Sequence, residues 1–507
     1  MYNRDRRIRM LYCIFIFAFT CVFFTVIHPL SIFNADDWLG IATNRHLIPQ
    51  WGRWNPTRVL PEALLPLCGS IASYFVYPLL NNYIGSVALV NGVVVAFFIA
   101  VYMYMYGELL RKKWKIASMN ALLLSSLFFV GHFLIFRSKP SENVHMFLAP
   151  DVTCYFYYVI PNLLNACFVM YFMRNDILDK LGTGMHHKRL FQIGLLLAAM
   201  YFALLSNVYA SVMLAAYVGA QLLFELGGLI QRKIRFRECV RKNVLRLAYM
   251  LLWLAVQVFE INGGRVDSLN VGVSLISKLR DTLGYLGNTI AAMNKSCVLL
   301  AAVVVFAAAA LVLYERRKRR SNPFSSENRE EETVLSNLPT IVVAGMLCAL
   351  YVIIVCSQHE ASYIERMDIL FGPVFYGFIV LTLCLVHILK KKPVLAVILP
   401  LLICVLIFEV HTSGRTFRDV NYGIVDVKTS IAISEDVVEQ FIRADRDGST
   451  EMSLFVPAIN EEAGWPFPSS FGNSVSRALH KYGVVRRKIS VTTVLSQDKE
   501  EQFHLDE

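Results

Sequence analysis

The sequence has few charged residues and lacks the motifs that identify many soluble enzymes. Only 17% of its 507 residues are charged and 56% are hydrophobic, a composition that excludes a soluble domain with one packed core. It contains no GxxxxGK[ST] phosphate loop, no GxGxxG sequence and no fixed-period repeat. The sequence therefore contains no motif that predicts nucleotide binding. Its composition predicts that lipid surrounds most of the chain.

The cysteines and the basic residues also lack a pattern that indicates chemistry. None of the eleven cysteines forms a CxxC pair or a metal-ligand spacing, and most lie in apolar runs. The formal net charge of +11 comes from Lys and Arg clusters at the ends of apolar runs, and these clusters form no continuous basic face. We therefore expect no disulfide framework, no zinc site and no nucleic-acid partner.

Apolar runs long enough to cross about 30 Å of hydrocarbon recur along the chain. They predict an all-α polytopic membrane protein with about eleven transmembrane helices. The predicted spans lie near residues 10–30, 84–106, 116–136, 153–173, 190–205, 209–230, 244–260, 292–314, 339–357, 369–389 and 393–410.

Basic clusters predict the orientation, because Lys and Arg beside a span are retained in the cytoplasm. They occupy alternate connections, at residues 111–115, 174–189, 232–246, 316–320 and 390–392. The N-terminus is thus expected inside and the C-terminus outside. We expect a transmembrane domain over residues 1–410, with its first outer loop at 31–82. Residues 411–507 predict a small extracytoplasmic α/β domain, with helices near 435–444 and 474–482 and strands near 453–459 and 488–494.

The first outer loop ends in an apolar stretch near residues 60–80, directly before the span at 84–106. Pro66, Gly69 and Pro78 interrupt this stretch. Together with the following span it is too long for one crossing. We therefore predict a helix that lies at the outer interface.

Charged residues gather on the outer loops, where lipid makes them costly unless they have a function. Asp36 and Asp37 repel each other, which raises one pKa and lets a carboxylate accept a proton from a hydroxyl. For an isolated Asp-Asp pair, a helix cap or a partner for an arginine is the more common role. Outer arginines offer planar forks for phosphate oxygens. The arginines of the candidate site are Arg53, Arg58, Arg265 and Arg366.

Further candidate substrate-binding residues come from two other outer segments. Tyr157 and Tyr158 open the fourth span and fit either an interfacial aromatic belt or a sugar-stacking platform. His359 and Glu360 lie in the loop between the ninth and tenth spans. No histidine has a partner at metal-ligand spacing, so the metal is left undecided.

Together these features resemble the GT-C class of membrane glycosyltransferases, and within it the bacterial multispanning family like the O-antigen glucosyltransferases. The resemblance covers most of the chain in short, degenerate motifs. One departure is Val208-Tyr209 after Ser206-Asn207, where related sequences often carry an acid. The matching features are Asp36-Asp37, Gly52-Arg53 before the interfacial helix, the aromatic start of the fourth span, the Gly264-Arg265 loop and the segment 366–373.

The resemblance implies transfer of a sugar from a polyprenyl-phosphate-linked donor to a cell-surface glycan or lipid-linked saccharide, outside the bacterial inner (plasma) membrane. Asp36 or Asp37 would act on the acceptor hydroxyl, while outer arginines would stabilise the departing phosphate. Members of the class differ in whether they use a divalent cation, Mg or Mn, so the cofactor stays open. The alternatives are a lipid-linked oligosaccharide polymerase or ligase, and a lipid-linked saccharide transporter or flippase.

Overall fold

The computed structural model describes residues 2–48, 54–139, 142–175, 187–231, 235–261, 274–321, 332–412, 416–459 and 465–505. The chain is a mostly helical, multi-pass membrane protein, as the sequence predicts. Within these ranges nine helices are long and apolar enough to cross a membrane. Three further apolar helices are shorter: Ser118–Leu134, Gly194–Leu204 and Pro393–Glu409.

The helices are numbered along the chain. The first are α1 (Tyr2–Val22), α2 (Ala35–Ala42), α3 (Val59–Ile71), α4 (Tyr77–Leu80), α5 (Tyr83–Lys112), α6 (Ser118–Leu134), α7 (Val152–Cys154) and α8 (Ile160–Asn175). Next come α9 (His187–Leu204), α10 (Val208–Ile230), α11 (Phe236–Ile261), α12 (Leu275–Ala291), α13 (Lys295–Ser321), α14 (Glu332–Leu335), α15 (Leu338–Gln358), α16 (Met367–Lys391) and α17 (Ile398–Thr412). The last are α18 (Val427–Arg446), α19 (Phe471–Lys481) and α20 (Gln497–Gln502).

Short strands and turns connect or extend these helices. The strands are β1 (Phe136–Lys139), β2 (Glu142–Val144), β3 (Thr416–Phe417), β4 (Glu451–Pro457) and β5 (Ser490–Ser496). Wide helical turns at Phe23–Ile27, Ala72–Val76 and Tyr155–Val159 continue helices, and tighter ones occur at Pro56–Arg58, Ala361–Glu365 and Pro393–Val397.

Each of the eleven predicted spans coincides with a helix, while the number that crosses the membrane stays a prediction. The stretch Pro56–Leu80 is one of the nine long apolar helices, although the sequence predicts that it lies at the interface. Helix α12 and the pair of strands β1 and β2 were not predicted. Both occur in predicted outer loops.

The chain forms two compact units. The bundle unit comprises Met1–Cys13, Val101–Phe147 and Asn162–Phe417. The loop unit comprises Ile14–Ala100, Leu148–Pro161 and Arg418–Glu507, so it combines the first predicted outer loop with the C-terminal tail.

In the bundle unit, basic residues that were predicted to be cytoplasmic meet at one buried carboxylate. Glu108, near the end of α5, forms ion pairs with Arg9, with Lys112 at 2.5 Å and with Arg174 at 3.6 Å. Its side chain is only 2% exposed, so the three cations offset the loss of hydration. This cluster joins the charged ends of α1, α5 and α8.

Small residues allow close helix packing in the same unit. A Cβ atom at Gly372 of α16 would lie 2.8 Å from Cys348 Sγ and 3.0 Å from Met213 Cγ. The Tyr376 hydroxyl donates a hydrogen bond to Met213 O at 2.6 Å. Close approach of this kind drives helix association where lipid is the solvent, and it holds α10, α15 and α16 together.

In the loop unit, the tail contains a helix, a strand, a helix and a strand in the predicted order. Strands β4 and β5 pair in parallel, from Glu451 with Ser490 to Pro457 with Ser496. A parallel pair requires a crossover connection, and α19 lies in that connection.

Candidate functional site

Asp36 and Asp37 lie in the first turn of α2, and they differ in their surroundings. Asn34 caps this helix, because its Oδ1 accepts a hydrogen bond from Asp37 N at 3.0 Å. The carboxylate of Asp37 in turn accepts a hydrogen bond at Oδ2 from Phe33 N, at 3.0 Å. Successive side chains on a helix point about 100° apart, so Asp37 is buried while Asp36 is exposed. Asp36 is therefore the more accessible carboxylate of the pair.

Asp37 also holds the beginning of another helical segment. Its Oδ1 accepts a hydrogen bond from Thr153 N at 2.7 Å, and Asp151 Oδ1 accepts one from Cys154 N at 2.6 Å. Both carboxylates thus occupy a helix N-terminus, where free N–H groups favour negative charge. Burial and, as a smaller cause, the charge of Asp151 raise the pKa of Asp37 well above its usual value. Asp37 joins two segments of the loop unit.

A second polar cluster surrounds Glu62 in the first turn of α3. The Tyr157 hydroxyl donates a hydrogen bond to Glu62 Oε1 at 2.9 Å, and Arg45 Nη1 donates one to Oε2 at 3.2 Å. Arg58 Nη1 lies 3.6 Å from Oε1. Glu62 is the only charged residue in the sequence of Val59–Leu80, and these partners offset the burial of its carboxylate.

Some N–H donors of this cluster form hydrogen bonds, and others have no hydrogen-bond partner among the described residues. Arg45 Nη2 donates to Asn55 O at 2.5 Å, and its guanidinium carbon lies 5.7 Å from the centre of the Trp54 ring. Within the described ranges, three N–H donors of this cluster are buried and lack a hydrogen-bond partner: Arg45 Nε, Arg58 Nε and Trp54 Nε1. Two guanidinium groups against the one carboxylate of Glu62 give a net charge of +1. Buried donors of this kind suit an anionic ligand such as a phosphate group.

The packing of α2 connects the two clusters. A Cβ atom at Gly40 would lie 3.0 Å from Leu65 Cδ2 and 3.1 Å from Thr153 Oγ1. Leu65 follows Glu62 by about one helical turn, and Tyr157 follows Thr153 by about one turn. The loop, α3 and the aromatic turn at Tyr155–Val159 therefore form one continuous candidate site within the loop unit.

The helical stretch Pro56–Leu80 and the residues that follow it contact loop or tail residues at several points. Near its beginning, Glu62 pairs with Arg45 of the loop. Near its middle, the Tyr482 hydroxyl lies 3.0 Å from Pro66 O. Directly after its end, Asn82 Nδ2 donates a hydrogen bond to Glu435 Oε1 at 2.6 Å.

The tail also packs directly on the loop. The Ser434 hydroxyl donates to Ile32 O at 2.9 Å, and Ala35 N donates to Pro466 O at 3.2 Å. The Tyr482 hydroxyl lies 2.5 Å from Ile41 O. Tail and loop therefore lie on the same side of any membrane that the helices cross.

The predicted phosphate ligand Arg366 belongs to the bundle unit and has an acidic partner. Its Nη2 lies 2.6 Å from Asp368 Oδ2 and its Nε 3.1 Å from Asp368 Oδ1. The guanidinium carbon lies 5.1 Å from the centre of the Tyr363 ring. Arg366 directly precedes α16, and its guanidinium group is held by a carboxylate in the first turn of that helix.

The remaining predicted site residues fall into three groups. Tyr158 is buried in the loop unit, beside Tyr157 in the same turn. His359 and Glu360 are exposed in the bundle unit, directly after α15. Arg53 and Arg265 lie outside the described residues.

Four residues of this site are not among those predicted from the sequence: Arg45, Trp54, Glu62 and Asp151. Glu62 carried a usable signal, since it is a lone acid in an otherwise uncharged apolar stretch. Asp151 carried another, because it precedes an aromatic helical run at the position of an N-cap.

The described carboxylates of the loop unit do not form a site for a divalent cation. Asp37 and Asp151 supply the oxygen atoms that Mg and Mn prefer. Within the described ranges, however, no group of three or more His, Cys, Asp or Glu side chains is arranged to hold a metal ion. Both oxygens of Asp37 already accept backbone N–H bonds. We therefore derive no reaction step through a cation.

Comparison of the chain with protein-family models, with curated proteins and with solved structures gives no match.

Proposed function

We propose that this protein is a GT-C-like membrane glycosyltransferase that moves a sugar from a polyprenyl-phosphate-linked donor to the hydroxyl of an extracytoplasmic acceptor. The observation that carries the proposal is the set of three buried, unpartnered N–H donors at Arg45, Trp54 and Arg58. They belong to the same loop as the exposed carboxylate of Asp36. A cationic phosphate site and an exposed base in the same loop are the two groups that sugar transfer from a phosphate requires.

The contacts of Pro56–Leu80 support a position in the membrane interface. At about 1.5 Å per residue its 25 residues are long enough to span the bilayer. Yet Glu62, near one end, and Asn82, just beyond the other, contact loop and tail residues that lie on one side. Its exposed apolar side chains, Tyr74, Phe75 and Leu79 among them, suit contact with lipid. In this position the arginine cluster lies at the depth of a lipid phosphate.

In the proposed reaction the acceptor oxygen forms a bond with the anomeric carbon of the sugar. The bond between that carbon and the phosphate oxygen breaks, and the lipid phosphate leaves with the electron pair. Asp36 accepts the acceptor proton, while Arg45, Arg58 and Trp54 donate hydrogen bonds to the phosphate. Asp37 is a positioning residue, because both its oxygens hold backbone N–H groups.

The experiment compares three Asp→Asn variants of the full chain in membranes, with a polyprenyl-phosphate-linked sugar as donor. Asp36→Asn is expected to lower the rate of transfer about a hundredfold or more without changing the amount of folded protein. Asp37→Asn is expected to lower the amount of folded protein, because one backbone N–H group then faces an amide N–H group. Asp498→Asn, an exposed tail substitution, is the matched control and should leave both unchanged.

Full transfer by well-folded Asp36→Asn would remove the proposed base. Loss of donor binding in an Arg45→Gln, Arg58→Gln double variant would still support the phosphate site. Unchanged donor binding in that double variant would remove the phosphate site itself.

A further inference from the structure

Helix α12 of the bundle unit has an unusual distribution of side chains. Its apolar residues Leu275, Ile276, Leu283 and Ile290 are exposed, whereas Thr282 and Thr289 are buried. A helix on the surface of a soluble protein would show the reverse arrangement. This arrangement is expected of a helix that lies in the membrane interface with its apolar face toward lipid.

One face of α12 lines a polar pocket. The pocket has a volume of about 610 Å³ and is formed by α12 together with the turn that follows α15. Its polar lining residues are Arg280, Asp281, Tyr285 and Asn288 from α12, with Glu360 and Ser362 from that turn. At about 100° per residue, the α12 residues of the pocket lie roughly opposite the apolar stripe.

Another face of α12 lines an apolar groove of about 570 Å³. Its α12 wall is formed by Leu286, Thr289 and Ile290. Thr289 lies one helical turn after Tyr285 of the polar pocket, so the two cavities meet along this edge of α12. The other walls come from α6, α13, α16 and α17. Both volumes fall within the range of about 300–1,000 Å³ that is usual for ligand sites.

We propose that α12 binds a glycolipid across these two faces, with the saccharide in the polar pocket and the lipid chain in the apolar groove. The inference rests on the proposed function, in which this glycolipid is the acceptor. A single amphipathic helix between a polar and an apolar cavity matches a ligand that has one polar and one apolar part.

The charge of the polar pocket favours sugar hydroxyls over phosphate. Arg280 contributes +1 and the carboxylates of Asp281 and Glu360 contribute −2, so the formal sum is −1. A phosphate would be repelled, whereas carboxylate, amide and hydroxyl groups pair well with hydroxyl groups. Within the described part of the chain, neither Arg280 nor Asp281 has an ion-pair or side-chain hydrogen-bond partner. Tyr285 adds an aromatic ring.

Each cavity contains a glycine at which a larger side chain would meet open space. Gly284 lines the polar pocket and Gly377 lines the groove, and a Cβ atom at either position would have no neighbour within 4 Å. Leucine at these positions would therefore fill the cavity without a clash near the backbone. Since leucine also favours helix more than glycine does, these variants are expected to fold.

The experiment uses the full chain in lipid nanodiscs and a photoreactive probe. The probe is an alkyl maltoside with a diazirine in its chain, and the comparison probe is a phosphatidylcholine with the same diazirine. Cross-linked peptides are identified by mass spectrometry. The maltoside is expected to label groove-lining peptides of α6 and α16. Gly284→Leu and Gly377→Leu should each reduce this labelling about tenfold.

Matched glycines provide the controls. Gly287 lies on α12 outside the pocket, and Gly194 lies on α9 outside the groove, each with open space around its Cβ position. Gly287→Leu and Gly194→Leu should retain full labelling by the maltoside. An Asp281→Asn, Asn288→Ala double variant should lose maltoside labelling but keep phosphatidylcholine labelling.

Equal labelling by the two probes in the unaltered protein would show an ordinary phospholipid groove and overturn the inference. Unchanged maltoside labelling in Gly284→Leu would also overturn it. These outcomes are independent of sugar transfer, because binding is measured without a donor. Failure of the proposed function would instead appear as transfer that survives in Asp36→Asn.

Discussion

At the scale of single residues, neighbouring aspartates on one helical turn acquire different chemistry. Asp37 is buried against a helix N-terminus and binds two backbone N–H groups, while Asp36 is exposed. The sequence predicts the pair but gives no reason to prefer either member. The structure distinguishes them because the cap at Asn34 fixes the rotation of α2.

Arg58 provides a graded test of the phosphate site. Arg58→Lys keeps the charge but loses the planar fork, and Arg58→Gln loses both. The kcat/KM for the lipid-linked donor is expected to fall about tenfold in the first and about a hundredfold in the second. Arg477→Gln, at an exposed position of α19, should have no effect. Equal activity of the Lys and Gln variants would contradict a role in phosphate binding.

The pair of Asp37 and Asp151 predicts a dependence of stability on pH. The pKa of Asp37 is raised, so the folded chain binds this proton more tightly than the unfolded chain does. The contribution to the free energy of unfolding is present at low pH. It is lost as pH rises from the unfolded pKa of about 3.9 through the raised folded value.

Asp151→Asn removes the negative charge that helps to raise the pKa of Asp37, while the Oδ1 of the new side chain still accepts the hydrogen bond from Cys154 N. The variant should therefore lose less stability than the unaltered protein as the pH rises. Thermal unfolding of the purified full chain between about pH 4 and pH 8 measures this difference. An equal loss of stability in the variant and the unaltered protein would show that the charge of Asp151 does not act on Asp37.

At the scale of elements, hydropathy predicted the long helices well, because the thickness of the bilayer sets the length of the apolar run that a spanning helix needs. It did not predict α12, whose apolar residues recur on one face without forming a continuous run. The donors of the candidate site were also missed in part. Arg45 acquires its role through Glu62, which lies on another element, and Trp54 acquires its role through its contact with Arg45.

Gly69 tests the packing of Pro56–Leu80 against loop and tail. A Cβ atom there would lie 2.7 Å from Ile41 Cγ1 and 2.7 Å from the Tyr482 hydroxyl. Gly69→Ala is therefore expected to destabilise the loop unit by about 1–3 kcal/mol. Thermal unfolding and protease sensitivity of the tail measure this effect. Gly423→Ala, with open space at its Cβ position, is the control and should behave like the unaltered protein.

At the scale of the whole molecule, the charge pattern predicts which segments face the cytoplasm. In a chain with the exposed Cys404 replaced by serine, single cysteines are introduced at His46, Asn82, Thr450 and Lys115. A membrane-impermeant maleimide should label the first three in intact cells. The fourth should react only after permeabilisation.

The first two positions also test the proposed interfacial position of Pro56–Leu80, which lies between them in the sequence. If Pro56–Leu80 crosses the membrane, His46→Cys and Asn82→Cys react from opposite sides. Reaction of Thr450→Cys from the same side as Lys115→Cys would overturn the predicted extracytoplasmic tail.

The hydrogen-bond partners Ile41 and Tyr482 are 441 residues apart in the sequence. At about 5–20 residues per second, a ribosome needs roughly 20 to 90 s to make the chain between them. During that interval α2 has been made, but the tail residue that contacts Ile41 has not. A chain that terminates in the tail before Tyr482 would therefore contain the nine long apolar helices of the described ranges but leave α2 without this partner.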